Sequence, residues 1–301
     1  VVLMSEQRPT GADRSLPEPA EQLRAEPHAA LAELTAATTR PYYDAAIDLP
    51  AADRYYAGVG LGHLAGLVTD THRDRPRYQP PTQLYPWVDL QPDGSIRSLY
   101  TGHRYDPAEL IVEGFRIDER RRDEHARLTA MESDLDVAAV EDTVEAMLPY
   151  NCEHVVPQSW FGKAEPMRGD LHHLFACEAR CNSFRGNTPY VEFADFPDLD
   201  EVVRTDCGKS ESNGFEPAQG KGAAARAVFY ILLRYPDTIS PAELPPDRFD
   251  ILLDWHEQEP VSEWEQHRNA AIFVRQGNRN PFIDHPEWVA ELVPRLRVRI
   301  S

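Results

Sequence analysis

Between Asn151 and Asn187 the chain concentrates His, Asn, Arg, Cys and aromatic residues in a stretch that admits only a small motif. Asn151-Cys152-Glu153-His154-Val155-Val156-Pro157 is β-like and ends at the proline. Asp170-Leu171-His172-His173-Leu174-Phe175 reads as a second short strand, and Cys177 to Asn187 has helix-compatible spacing. Strand, loop, strand and helix in that order predict a compact ββα unit at about 151–190. His154 then sits on the first strand, opposite Asn182 on the helix. In a regular strand Glu153 and His154 point to opposite faces, so both serve one site only if the strand ends or distorts there.

Around this unit the chain reads as mostly helical. Helices are expected over Glu21–Ala37, within 117–148, over Ala223–Tyr235, Phe249–Trp255 and Ser262–Val274. The Ala227, Val228, Ile231, Leu232, Tyr235 stripe, stopped by Pro236, is the clearest of them. Pro92-Asp93-Gly94 between apolar runs predicts a hairpin within 84–103. The Gly- and Ser-rich 203–222 reads as a loop, 276–286 as a Pro- and Asn-rich loop, and the end as a short basic stretch. The expected fold class is α+β: a helix-rich domain over 39–301 with a small mixed or antiparallel sheet, preceded by a loose tail and helix at 1–38.

Length and composition bound the function. The 301 residues suffice to bury a core, and 42% apolar with 27% charged residues excludes a disordered or collagen-like chain. No apolar run approaches roughly 18 residues, so no membrane partner is expected. No obligate protein partner is inferred. The N-terminus lacks a basic stretch followed by a long apolar one. A cytoplasmic location is therefore expected, with secretion of a processed chain as the alternative.

Fifty acids against 31 bases leave a net charge of −19, which by itself argues against a polyanionic partner. The acidity is uneven. Before residue 150, fifteen bases face twenty-six acids; within 151–193, four face five; within 261–301, six arginines face five acids. A nucleic-acid groove is expected from the middle and C-terminal segments, with the acidic part behind it and affinity sensitive to salt.

The ββα residue types suit phosphodiester hydrolysis. Neutral His154 is a natural base near neutral pH. Mg²⁺ prefers oxygen ligands and often takes only one or two from protein, as Glu153 and Asn182 would provide. Arg168 or Arg185 would grip the non-bridging phosphate oxygens.

On Glu153-His154-Val155-Val156-Pro157, Met167 to Leu174, and Asn182 to Asn187 with Arg185, the chain resembles the endonuclease I family of non-specific nucleases, within the ββα-metal (His-Me finger) superfamily. Tyr230 to Pro236, Trp255-His256, Pro260-Val261-Ser262, Arg268-Asn269 and Gln276 to Pro286 look like that family's downstream signature. The resemblance implies His154 as general base and Glu153 and Asn182 as ligands of one catalytic Mg²⁺. It also implies cleavage of DNA, and often RNA, to 5′-phosphate products. Where many members carry His-Asn after Asp-Leu, this chain has His172-His173. The alternatives are a catalytically altered nucleic-acid-binding module and an RNA-preferring nuclease of the same fold.

Other residues leave several readings open. Cys152, Cys177, Cys181 and Cys207 bracket the motif and suit a structural Zn²⁺, one or two disulfides, or free buried thiols. His172 and His173 serve the site or pack. Asp170 is expected to hold neighbours by hydrogen bonds. Arg185 grips phosphate or pairs with a local acid, and Arg279 contacts nucleic acid or packs its loop. Gly220-Lys221-Gly222 precedes a helix but lacks the full phosphate-loop spacing.

Overall fold

The computed structural model describes residues 19–131, 137–196, 206–211, 214–240 and 242–300. The tail expected before residue 19 and the acidic residues 132–136 lie outside the described residues. In chain order the elements are α1 (Pro19–Ala37), α2 (Ala45–Tyr56), α3 (Leu64–Thr71), α4 (Pro80–Gln83), β1 (Ile96–Arg97), β2 (Arg104–Tyr105), α5 (Pro107–Met131), α6 (Val137–Met147) and β3 (Cys152–His154). There follow β4 (Leu174–Ala176), α7 (Ala179–Arg185), β5 (Gly208–Glu211), β6 (Gly214–Pro217), α8 (Lys221–Arg234), α9 (Pro246–Gln258), α10 (Glu263–Gln276), α11 (Pro281–Asp284) and α12 (Val289–Ile300). The described sheets are three antiparallel pairs, β1–β2, β3–β4 and β5–β6. The architecture is α+β and helix-rich, as the sequence leads one to expect.

Two apolar clusters hold the molecule together. One surrounds α8, whose Ala-rich sequence is buried nearly all round and packs against α3, α9, α11 and α12. The other gathers Leu84, Tyr85, Val88, Leu110, Ile111 and Ile117 beneath α1, α4 and α5. The β3–β4 hairpin lies between them. Its register pairs Cys152 with Ala176, Glu153 with Phe175 and His154 with Leu174. Alternation sends Cys152, Leu174 and Ala176 into the second cluster and Phe175 into the first. A strand buried on both faces is held in register from both sides, which suits a platform for chemistry.

Several elements differ from the sequence-based expectation. The second strand of the motif begins only at Leu174. The Asp170 carboxylate accepts from the His172 N–H at 3.1 Å and caps a 3-10 turn over Leu171–His173. The turn after Leu90 forms, but a single bridge, Leu90 with Ile96, spans it, and β1 pairs forward with β2. Leu84, Tyr85 and Val88 are spaced for a helical turn, not for strand alternation. The expected 203–222 loop holds the β5–β6 hairpin in its described part. A Cβ on Gly208 (φ +132°) would meet the Glu216 carbonyl oxygen at 2.1 Å, so glycine there permits close strand approach. The basic C-terminal stretch belongs to α12.

Candidate active site

The hairpin and α7 form the expected ββα unit. The Asn151 carbonyl accepts from the Cys177 N–H at 3.0 Å, and its side-chain oxygen accepts from the Ala179 N–H at 3.2 Å. The hairpin and the start of α7 are thus tied by one residue. Further along α7, Asn182 Nδ2 donates to the Cys152 carbonyl at 2.9 Å. That bond orients the amide and leaves Oδ1 as its remaining acceptor.

Glu153 is buried. One carboxylate oxygen is ion-paired with Arg185 and accepts from the Tyr100 hydroxyl at 3.0 Å. The Tyr190 hydroxyl lies 2.7 Å from that of Tyr100. The other oxygen, Oε2, is buried and has no hydrogen-bond partner among the described residues. Burial pushes the Glu153 carboxyl above its ordinary range, opposed by Arg185 and by the Tyr100 hydrogen bond.

His154 Nε2 lies 3.0 Å from the Arg168 carbonyl. A carbonyl only accepts, so Nε2 carries the proton and Nδ1 is left as the basic nitrogen. Tyr78 packs on the imidazole with ring centroids 4.5 Å apart, and His173 meets it edge-on at 5.3 Å. Burial, then the neighbouring His173, holds His154 well below the ordinary histidine range, so the ring is neutral near pH 7.

Glu153, His154 and Asn182 border one cavity of about 240 Å³, together with Tyr78, Pro157 and Gly186. Successive strand residues reach the same space because β3 ends at His154 and Pro157 turns the chain. The donors fit a hard divalent cation: an unpartnered buried carboxylate oxygen and an amide oxygen, with water completing the shell.

The arginines are engaged by protein groups. Of its two readings, Arg185 takes the pairing with a local acid. It is 1% exposed, and its donors go to Glu153, the His154 carbonyl (2.9 Å) and the Val155 carbonyl (2.8 Å). It is a positioning residue for the carboxylate. Arg168 supplies the carbonyl that orients His154, while its guanidinium donates to Gln158 at 2.9 Å and to Glu145 at 3.2 Å. Glu145 also accepts from Lys163 at 2.8 Å. Burial alone would raise the Glu145 carboxyl, but Lys163, Arg168 and Gln158 hold it at about 2.

The cysteines form neither a four-thiolate site nor a set of free thiols. Cys181 and Cys207 are joined in a disulfide, which removes two thiolates, and Cys152 and Cys177 are buried. Burial pushes both remaining thiols up, which disfavours the thiolate that zinc requires. Among the described residues no group of three or more His, Cys, Asp or Glu is arranged to hold a metal. Of the readings the sequence leaves open, Cys181 and Cys207 take the disulfide.

The remaining candidates pack. His172 lies 3.4 Å from the Asn278 carbonyl and His173 2.7 Å from that of Met167. Asp170 accepts from Tyr230, Tyr235 and Gln276. Arg279 is buried between Asp48 and Asp284, and Lys221 pairs with Glu216. The C-terminal arginines expected to line a groove are paired where they are described. Arg268 is buried against Asp89, Arg275 pairs with Glu33, and Arg295 with Glu291. The side chains of Arg297 and Arg299 lie outside the described set. The acidic helices α5 and α6 are not behind the site; Arg121, Asp142 and Glu145 form one wall of its cavity. Tyr78, Tyr100 and Tyr190 were not singled out from sequence, because nothing in their spacing ties them to residue 153 or 154.

A hairpin and helix presenting an acid, an imidazole and a carboxamide to one small cavity is the ββα class that the sequence suggests. The sequence profile of the Endonuclease I family matches residues 77–287, and the chain belongs to that family. It is similar to the extracellular ribonuclease of Bacillus subtilis (strain 168), 34% identical over 161 residues, 48% of this chain and 54% of the relative. The extracellular ribonuclease of Bacillus amyloliquefaciens is 34% identical over 159 residues, 48% of this chain and 53% of that one. An extracellular deoxyribonuclease of Aeromonas hydrophila is 29% identical over 152 residues, covering 44% and 64%. The chain thus spans about half the length of the two ribonucleases it matches.

Proposed function

We propose that this protein is a non-specific, Mg²⁺-dependent endonuclease that hydrolyses phosphodiester bonds of DNA, and of RNA as well, leaving 5′-phosphates. One observation carries the proposal: a neutral imidazole with a defined basic nitrogen shares a cavity with a partnerless carboxylate oxygen and an oriented amide oxygen. His154 Nδ1 takes a proton from water, which attacks phosphorus in line with the departing O3′. The Arg168 carbonyl keeps the ring in the required tautomer. Arg185 and Tyr100 hold one Glu153 oxygen and leave the other without a partner among the described residues. Glu153 Oε2 and Asn182 Oδ1 would hold Mg²⁺, which when bound would supply charge stabilisation for the phosphoryl oxygens and the leaving alkoxide. The related ribonucleases and deoxyribonuclease support a site indifferent to the sugar.

The location proposed is extracellular or periplasmic, not cytoplasmic. The Cys181–Cys207 disulfide suits an oxidising compartment, and relatives carry extracellular and periplasmic names. Among the described residues no helix is long and apolar enough to cross a membrane.

The test is cleavage of plasmid DNA and single-stranded RNA with Mg²⁺ and with EDTA. EDTA is expected to abolish cutting. His154→Ala is expected to lose about 10²- to 10⁴-fold in rate while remaining folded by circular dichroism. A His154→Ala variant that cuts at the parent rate overturns the proposal.

A further inference from the structure

Beside the catalytic cavity lies a larger one of about 820 Å³, walled by α5, α6 and the 159–168 segment. The two are neighbours, since both are lined by Arg121, Asp142, Glu145, Ser159 and Lys163. Two other cations that line the larger cavity are already neutralised. Lys163 pairs with Asp142 and Glu145, and Arg168 pairs with Glu145.

Arg121 differs. Its Nε donates to the Leu148 carbonyl at 2.7 Å, and its guanidinium lies over the Tyr150 ring at 4.0 Å. Both contacts, with a side-chain hydrogen bond to Tyr150 and the nearby charge of Asp118, fix the position of the group. Among the described residues it has no carboxylate at ion-pair distance, and its Nη2 is buried with no hydrogen-bond partner. Asp118, one turn earlier, accepts from the Tyr150 hydroxyl instead. The guanidinium borders both cavities, where a phosphate oxygen would form a charge-assisted bond with it. Arg122 and His125 line the larger cavity beyond it, and His125 lies one turn along α5 from Arg121.

Resting on the nuclease reading above, we propose that Arg121 binds a backbone phosphate of the nucleic acid next to the scissile one. The strand then runs from His154 into the larger cavity along α5. Arg121 supplies the phosphate contact that sequence assigned to Arg168 or Arg185, and it does so from the most acidic part of the chain.

The experiment measures binding of a fluorescent DNA duplex to His154→Ala protein in EDTA across a salt series. Adding Arg121→Gln is expected to weaken binding about tenfold. It should also lower the slope of log K against log salt by about one. Arg121→Lys should restore the slope but not the full affinity. A purely structural role would lower the unfolding temperature and leave the slope alone, so an unchanged slope in Arg121→Gln overturns the inference. Cleavage of the same duplex by the parent with Mg²⁺ runs alongside. Binding with the expected Arg121 dependence but no cutting overturns the nuclease reading and supports the phosphate contact. Cutting with an unchanged slope does the reverse.

Discussion

Arg185 donates to the Glu153 carboxylate and to two strand carbonyls from a fully enclosed position. Replacing it with methionine leaves a buried carboxylate facing only the Tyr100 hydroxyl. Arg185→Met is expected to cost about 3–5 kcal/mol in urea denaturation, the cost of removing one partner from a buried pair. A variant of parent stability with only a raised KM would mean that the guanidinium serves substrate after all. The sequence around Asn182 and Arg185 made both legible as functional, because an amide and a guanidinium close to an acid and an imidazole suit phosphate chemistry. Which cation faces substrate was not legible. That depends on which carboxylates sit nearby in space, and Glu145, Asp142 and Glu153 decide it from other elements.

Helix α7 has seven residues and is anchored at three points: the Asn151 side chain at its start, the Asn182 bond to Cys152, and the Cys181–Cys207 disulfide. The disulfide closes a sequence separation of 26 residues. Cys207→Ser is expected to lower stability by about 3 kcal/mol, read from urea midpoints with and without reductant. A midpoint equal to the parent's in non-reducing buffer would refute this. Elements with clear periodicity were legible: α8 through its Ala227 to Tyr235 stripe, and α10 as the helix expected over Ser262–Val274, whose start the structure closes with a reciprocal Ser262–Glu265 capping box. Helix α2 was not, because Pro50 interrupts it and Ile47 and Leu49 are exposed, which blurs the apolar stripe. The β5–β6 hairpin was not, because its pairing depends on backbone approach at a glycine, a feature that composition reads as a loop.

At the scale of the whole molecule, the 3-10 turn at Leu171–His173 is where the β3–β4 pair meets the helical body. Burial lowers His172 and His173 from 6.5 to about 4. The unfolded chain takes up those protons near pH 6.5 and the native one only near pH 4. Stability is therefore full above about pH 6.5 and declines as pH falls toward 4, by a few kcal/mol in all. Urea midpoints at pH 7.5, 6, 5 and 4.5 check this, and a flat profile would contradict it. The partners of this turn come from far along the chain. Asp170 accepts from Tyr230, Tyr235 and Gln276, and Arg268 donates to the carbonyls of Leu171 and Leu174. A nascent polypeptide that has emerged only as far as Asn187 carries Glu153, His154 and Asn182 but lacks the partners that fix this turn. The order of translation therefore delays assembly of the cavity until α10 has been made.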